Sequence, residues 1–129
     1  MTMFKFISLL LFSVSLSAHA MSIEDELAQI KYFSIGYNGF VPKKSEGERL
    51  YEKIMSSTHR EDIFLRVIQS EKATKESKLY AACGLWLINK KRLGEINPAQ
   101  GYVTILQGDI LQKRKFGEIF SIIKRKGCY

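Results

Sequence analysis

The first twenty residues set the terms for everything that follows them. Met1 to Lys5 carries one positive side chain, Phe6 to Leu16 is an apolar run broken only by serines, and Ala18-His19-Ala20 places small residues where a signal peptidase cuts. The run falls short of the roughly 18 apolar residues that a bilayer span needs. A buried N-terminal helix is the competing reading. We expect residues 1–20 to be a cleaved signal peptide and residues 21–129 to fold as a single domain, periplasmic or secreted and not membrane-spanning. No cysteine follows the cleavage position, which closes the lipoprotein route.

What remains after cleavage is one domain's worth of chain. Lys5 is the only charged side chain in the leader, so its loss lowers the formal charge from +7 to +6. Hydrophobic residues at 46% and charged residues at 26% place the chain among globular domains and away from disordered ones. Both cysteines, Cys83 and Cys128, stay with the mature chain. An even count in an oxidising compartment favours a disulfide, and closing that loop removes roughly 4 kcal/mol of unfolded-state entropy. The alternatives are a buried free thiol at Cys83 or a bridge from Cys128 to another chain.

Local signals divide the mature chain into short helices. Ser22 precedes Glu24, Asp25 and Glu26, an N-cap and an acidic first turn, and Ile23, Leu27 and Ile30 recur on one face. Ser45 with Glu48 forms a capping box ahead of Leu50, Tyr51, Ile54 and Met55, and Thr58 with Glu61 repeats it ahead of Ile63, Phe64, Val67 and Ile68. Thr74 opens a third helix, apolar nearly all round from Leu79 to Ile88, which is expected to be the most buried, with Trp86 and Leu87 in the core. Gly84 within it calls for a close backbone approach. Lys90-Lys91-Arg92 suit a helix C-terminus.

Beyond Asn97-Pro98 the pattern changes. Tyr102 to Leu106 reads as a strand between Gly101 and Gly108, with Ile110 and Leu111 returning as a second. Phe116, Ile119, Phe120 and Ile123 then restore helical spacing up to Gly127. The expected fold is mainly α: a compact stack of short helices, of helical-hairpin or HEAT-like kind, with a small β-hairpin and a C-terminal helix.

Catalytic chemistry finds little to build on. His59 is the one histidine outside the leader and sits at a helix start. No nucleophile elbow, phosphate loop, dinucleotide fingerprint or zinc-protease motif is present. One histidine and two cysteines do not make a closed metal site, so no metal and no cofactor are expected. The carboxylate pairs Glu46/Glu48 and Glu61/Asp62 are the only material for an envelope hydrolase, and capping accounts for each.

Basic and aromatic residues are more visible. Lys90-Lys91-Arg92, Lys113-Arg114-Lys115 and Lys124-Arg125-Lys126 are three cationic triplets in the last third of the chain, and Tyr37 and Phe40 sit in an apolar loop from Tyr32 to Val41. In an exported protein such cations meet an envelope protein or an anionic cell-surface component, and not nucleic acid. A solvated basic face near helix ends is the plain alternative. The expectation is therefore a non-enzymatic interaction protein of accessory or immunity type, binding an envelope protein or a secreted toxin.

Three stretches carry a resemblance. Ser34-Ile35-Gly36-Tyr37 leading to Ser45-Glu46-Gly47-Glu48, then Lys78-Leu79-Tyr80-Ala81-Ala82-Cys83-Gly84-Leu85, then Val103-Thr104-Ile105-Leu106-Gln107-Gly108-Asp109-Ile110 follow one another in an order that resembles a family of uncharacterised exported bacterial proteins, some associated with microcin (bacteriocin) secretion genes. The similarity covers Ser34 to the end, and the middle stretch is its most specific part. The family often has a cysteine where Asp109 stands here, which leaves the partner of Cys83 open. The resemblance implies no activity and no catalytic residue.

Overall fold

The computed structural model describes residues 21–36 and 43–129. The expected signal peptide, and Tyr37, Phe40 and Val41 of the apolar loop, lie outside the described residues. In chain order the elements are α1 (Ile23–Ala28), α2 (Glu46–Met55), α3 (Arg60–Gln69), α4 (Lys75–Ile88), α5 (Lys90–Gly94), β1 (Tyr102–Gln107), β2 (Ile110–Lys115) and α6 (Phe116–Lys126). The domain is mainly helical, with an antiparallel hairpin and a C-terminal helix, as the periodicity predicts.

Three of the predicted caps form. Ser22, Ser45 and Thr74 accept from the N–H three residues on, at Asp25, Glu48 and Ser77. The box at Thr58 and Glu61 does not. His59, exposed, occupies the cap of α3 without a side-chain bond, and the Glu61 carboxylate instead accepts from the Asn89 side chain at 2.9 Å. Asn89 also ends α4 and caps α5 through the Arg92 N–H. Lys90-Lys91-Arg92 therefore begin a new helix and do not close the preceding one, because the asparagine cap outweighs their charge.

Helix α4 is the hub. It packs against α1, α2, α3, α5, α6 and β1, and Leu79, Tyr80, Ala81, Ala82, Cys83 and Leu85 are all buried. HEAT-like serial stacking is not established: a solenoid joins each repeat to its neighbours, whereas here one helix touches nearly every other. Helices α3 and α4 pack closely across a short turn. Gly84 is needed, but for a ring and not for a backbone: a Cβ there would run into the Phe64 side chain.

The core departs from expectation at the end of α4. Leu87 is 55% exposed and Trp86 is only half-buried, so neither is a central core residue. Ile23 is likewise exposed, leaving Leu27 as the anchor of α1. Phe116, Phe120 and Ile123 of α6 are buried as predicted, with the two phenylalanine rings stacked at 5.3 Å.

Cys83 and Cys128 are joined, their Cα atoms 5.6 Å apart. Gly127 makes the approach possible. Its φ of +74° ends α6 in a conformation open to glycine, and a Cβ would stand 2.7 Å from the Trp86 ring. The bridge thus ties the end of α6 to the middle of α4.

The hairpin is longer than Ile110-Leu111 alone suggests, since β2 continues through Lys115. Its register pairs Tyr102 with Lys115, Thr104 with Lys113 and Leu106 with Leu111 around the two-residue turn Gly108-Asp109. Phe33 adds a single parallel bridge on the other side of β1, donating its N–H to the Thr104 carbonyl and accepting from Leu106 N–H, both at 2.9 Å.

Candidate functional site

Two polar assemblies stand out, one buried and one exposed. The buried one holds the segment after α1 in place. The Tyr80 hydroxyl donates to the Ser34 carbonyl at 2.8 Å, accepts the Ser34 N–H at 2.9 Å and stands 3.0 Å from Ser45 Oγ. Burial pushes the Tyr80 phenol up to about 12, against the two hydrogen bonds from Ser45 and Ser34.

Glu48 belongs to the same assembly and is 2% exposed. Its backbone completes the capping bond to Ser45, but its carboxylate turns inward, accepting from Gly36 N–H at 3.0 Å and from the Tyr129 hydroxyl at 3.2 Å. Tyr129 is largely exposed, yet burial of its phenol and the Glu48 charge raise its pKa well above the usual tyrosine value. Tyr51 lies beside them, raised to about 12 by burial and then by the Glu48 and Glu52 charges. Among the described residues its hydroxyl is the buried side-chain polar atom without a hydrogen-bond partner. With the disulfide, this cluster fastens the last residues of the chain to α2 and α4.

Neither carboxylate pair faces across a cleft. Glu48 is buried while Glu46 is exposed, and Glu61 is held by Asn89 while Asp62 is exposed. Among the described residues no group of three or more histidine, cysteine or acidic side chains is placed to hold a metal ion.

The exposed assembly is a basic pole around Trp86. Lys90 Nζ lies 4.0 Å from the Trp86 ring centroid, a cation–π contact, and Gly127 packs against the same ring. Lys124 Nζ donates to the Ile96 carbonyl at 2.5 Å and stands 4.8 Å over the Phe120 ring, which draws the end of α6 to the turn after α5. Two of the three triplets, Lys90-Lys91-Arg92 and Lys124-Arg125-Lys126, thereby converge, with exposed Leu87 one residue from the tryptophan. Arg92 pairs with Glu95 at 3.5 Å. Lys91, Arg125 and Lys126 are exposed and enter no ion pair among the described residues.

The third triplet stays apart. Lys113, Arg114 and Lys115 lie on β2, at the opposite end of α6, a helix of 11 residues and hence about 16 Å long at 1.5 Å per residue. Lys113 and Lys115 are exposed, and Arg114 pairs with Glu118. A groove of about 550 Å³ opens beside Tyr102 and Lys115, bounded by Pro98, Gly101, Gly117 and Glu118. Tyr37 and Phe40, expected to take part, fall outside the described residues.

Sequence reasoning found the cations but missed the Lys90–Trp86 contact, and it read Glu48 as a capping residue or half of a carboxylate pair and not as the buried partner of Gly36 and Tyr129. The fold and this surface define a class: a mainly helical, disulfide-stapled domain with a cationic pole built on a tryptophan. No protein-family model, no curated protein and no solved structure matches the chain.

Proposed function

We propose that the chain is an exported, non-enzymatic interaction protein of accessory or immunity type, and that its Trp86 pole binds an anionic envelope component, such as an acidic face of an envelope protein or secreted toxin. The observation that carries this reading is that two basic triplets come together at one end of α5 and α6: Lys90 lies over half-buried Trp86, Gly127 beside the second triplet packs on the same ring, and Lys124 reaches the turn after α5. Cations spread at random over a surface do little, but a cluster beside apolar area raises the local potential and offers a ring to pack against. Export is supported by the leader-like first twenty residues and by the disulfide, a bond that persists in oxidising compartments. Among the described residues no helix is long and apolar enough to cross a membrane.

The test compares the oxidised protein with a Lys91→Glu/Arg125→Glu/Lys126→Glu variant, each immobilised and exposed to envelope extract. All three positions are exposed and none is in the core, so the variant keeps the fold. A retained component that the variant releases, and that elutes with moderate salt, is the expected result. Identical retention by both proteins would remove the pole from the account.

A further inference from the structure

We propose that the outer edge of β2 accepts an extended acidic polypeptide segment as an added strand. This surface is distinct from the Trp86 pole and does not depend on it. Phe33 bonds to Thr104 and Leu106, so those residues turn their peptide groups away from β2. Their partners across the ladder, Lys113 and Leu111, sit in the pairs that exchange no hydrogen bonds, and so does Lys115 opposite Tyr102. The Phe116 N–H to Gly101 carbonyl bond, 2.9 Å, fits the same alternation. Leu111, Lys113 and Lys115 therefore point their N–H and C=O groups outward along one edge. Strand β2 packs on β1 and α6 and is exposed along nearly its whole length.

The side chains along that edge narrow the choice of partner. Leu111, Lys113 and Lys115 share one face with Tyr102, and Leu111 and Tyr102 are each 61% exposed. A second copy of the chain is a poor occupant, because pairing β2 with itself crowds the Lys113, Arg114 and Lys115 cations of the two copies along one seam. A lipid interior is poor as well, since it leaves the open edge unsatisfied. An extended segment with acidic residues at alternate positions satisfies the backbone groups, meets Lys113 and Lys115 on one face, and places an apolar residue over Leu111. The lysines that deter self-pairing, a known protection of open edges, are the same ones that select such a partner.

The experiment adds a synthetic peptide of alternating glutamate and valine to isotope-labelled, oxidised protein and follows the amide resonances. We expect the shifts and the new exchange protection to centre on Leu111, Lys113 and Lys115, with affinity falling at least about tenfold between 50 and 300 mM salt. Lys113→Pro removes one outward N–H and spares the ladder to β1, and should weaken binding at least about tenfold. Lys113→Glu/Lys115→Glu keeps the backbone edge and should exchange the preference to a lysine–valine peptide, which controls for any folding defect of the proline variant. Shifts confined to the residues around Trp86, unchanged binding in both variants, absence of binding at millimolar peptide, or perturbation of β2 by phosphatidylglycerol vesicles in place of peptide would each overturn the proposal.

Discussion

Helix α4 and strand β2 contain similar aliphatic residues and treat them oppositely. Leu79 and Leu85 are fully buried, whereas Ile110 and Leu111 are 62% and 61% exposed. The difference lies in what surrounds each element. Helix α4 is enclosed by helices, the disulfide and the tyrosine cluster, while among the described residues β2 has a strand on one side only. Buried contacts are therefore concentrated around α4 and reach the hairpin only through β1, where Val103 is fully buried, while β2 contributes little to the core.

The sharpest way to break this contrast is to empty the centre of the core. Phe64 is fully buried, packs against Gly84 and lies 5.7 Å from the Tyr51 ring. Phe64→Ala should cost about 3–5 kcal/mol in denaturant unfolding. A cost near that of a surface substitution would mean that α3 and α4 do not form the centre. Next in size is the staple: Cys83→Ser/Cys128→Ser should lose about 2–4 kcal/mol, and the native protein should weigh two mass units less than its reduced form. Two free thiols, or a reducible dimer, would contradict the internal bridge.

The tyrosine cluster gives a pH signature. Unfolded tyrosines ionise near pH 10, whereas Tyr51 and Tyr80 hold their protons in the folded state up to about 12. The folded state then binds more protons than the unfolded one, so stability is intact below pH 10 and declines between pH 10 and 12. Tyr51→Phe or Tyr80→Phe should flatten that decline in alkaline unfolding curves. Removing the Tyr129 hydroxyl is milder: Tyr129→Phe should cost about 1 kcal/mol, the worth of one hydrogen bond to a carboxylate at a partly exposed site. Smallest of all, Ile110→Ala and Leu111→Ala should change stability by no more than about 0.5 kcal/mol. A loss above 2 kcal/mol at either would show that the hairpin tip belongs to the core.

The elements that local spacing controls were readable in the sequence. Ser22, Ser45 and Thr74 signal helix starts because a cap bonds within three residues. The stripe Phe116, Phe120, Ile123 identifies the buried face of α6 without reference to its neighbours. Glu48 shows where such reasoning stops. A glutamate at that position can bend back to its cap or turn inward, and the choice here depends on Gly36 and Tyr129, distant in sequence. Asn89 is similar, since its role follows from Glu61 on another helix. Phe33 makes one bridge and has no period to detect. The basic pole is legible as three triplets, but their division into a converging pair and an isolated third depends on how α5 and α6 lie against Trp86.

That division also supplies its own reporter, because Trp86 is the sole tryptophan in the chain. Its emission should change, saturably, when the oxidised protein is titrated at low salt with polyglutamate or with phosphatidylglycerol vesicles. The change should be reversed by about 0.5 M sodium chloride, where the Debye length is only a few ångströms. The Lys91→Glu/Arg125→Glu/Lys126→Glu variant should show no such change. Emission that stays constant with both anionic probes, or a response that survives both the salt and the charge reversal, would contradict the basic pole as the binding surface.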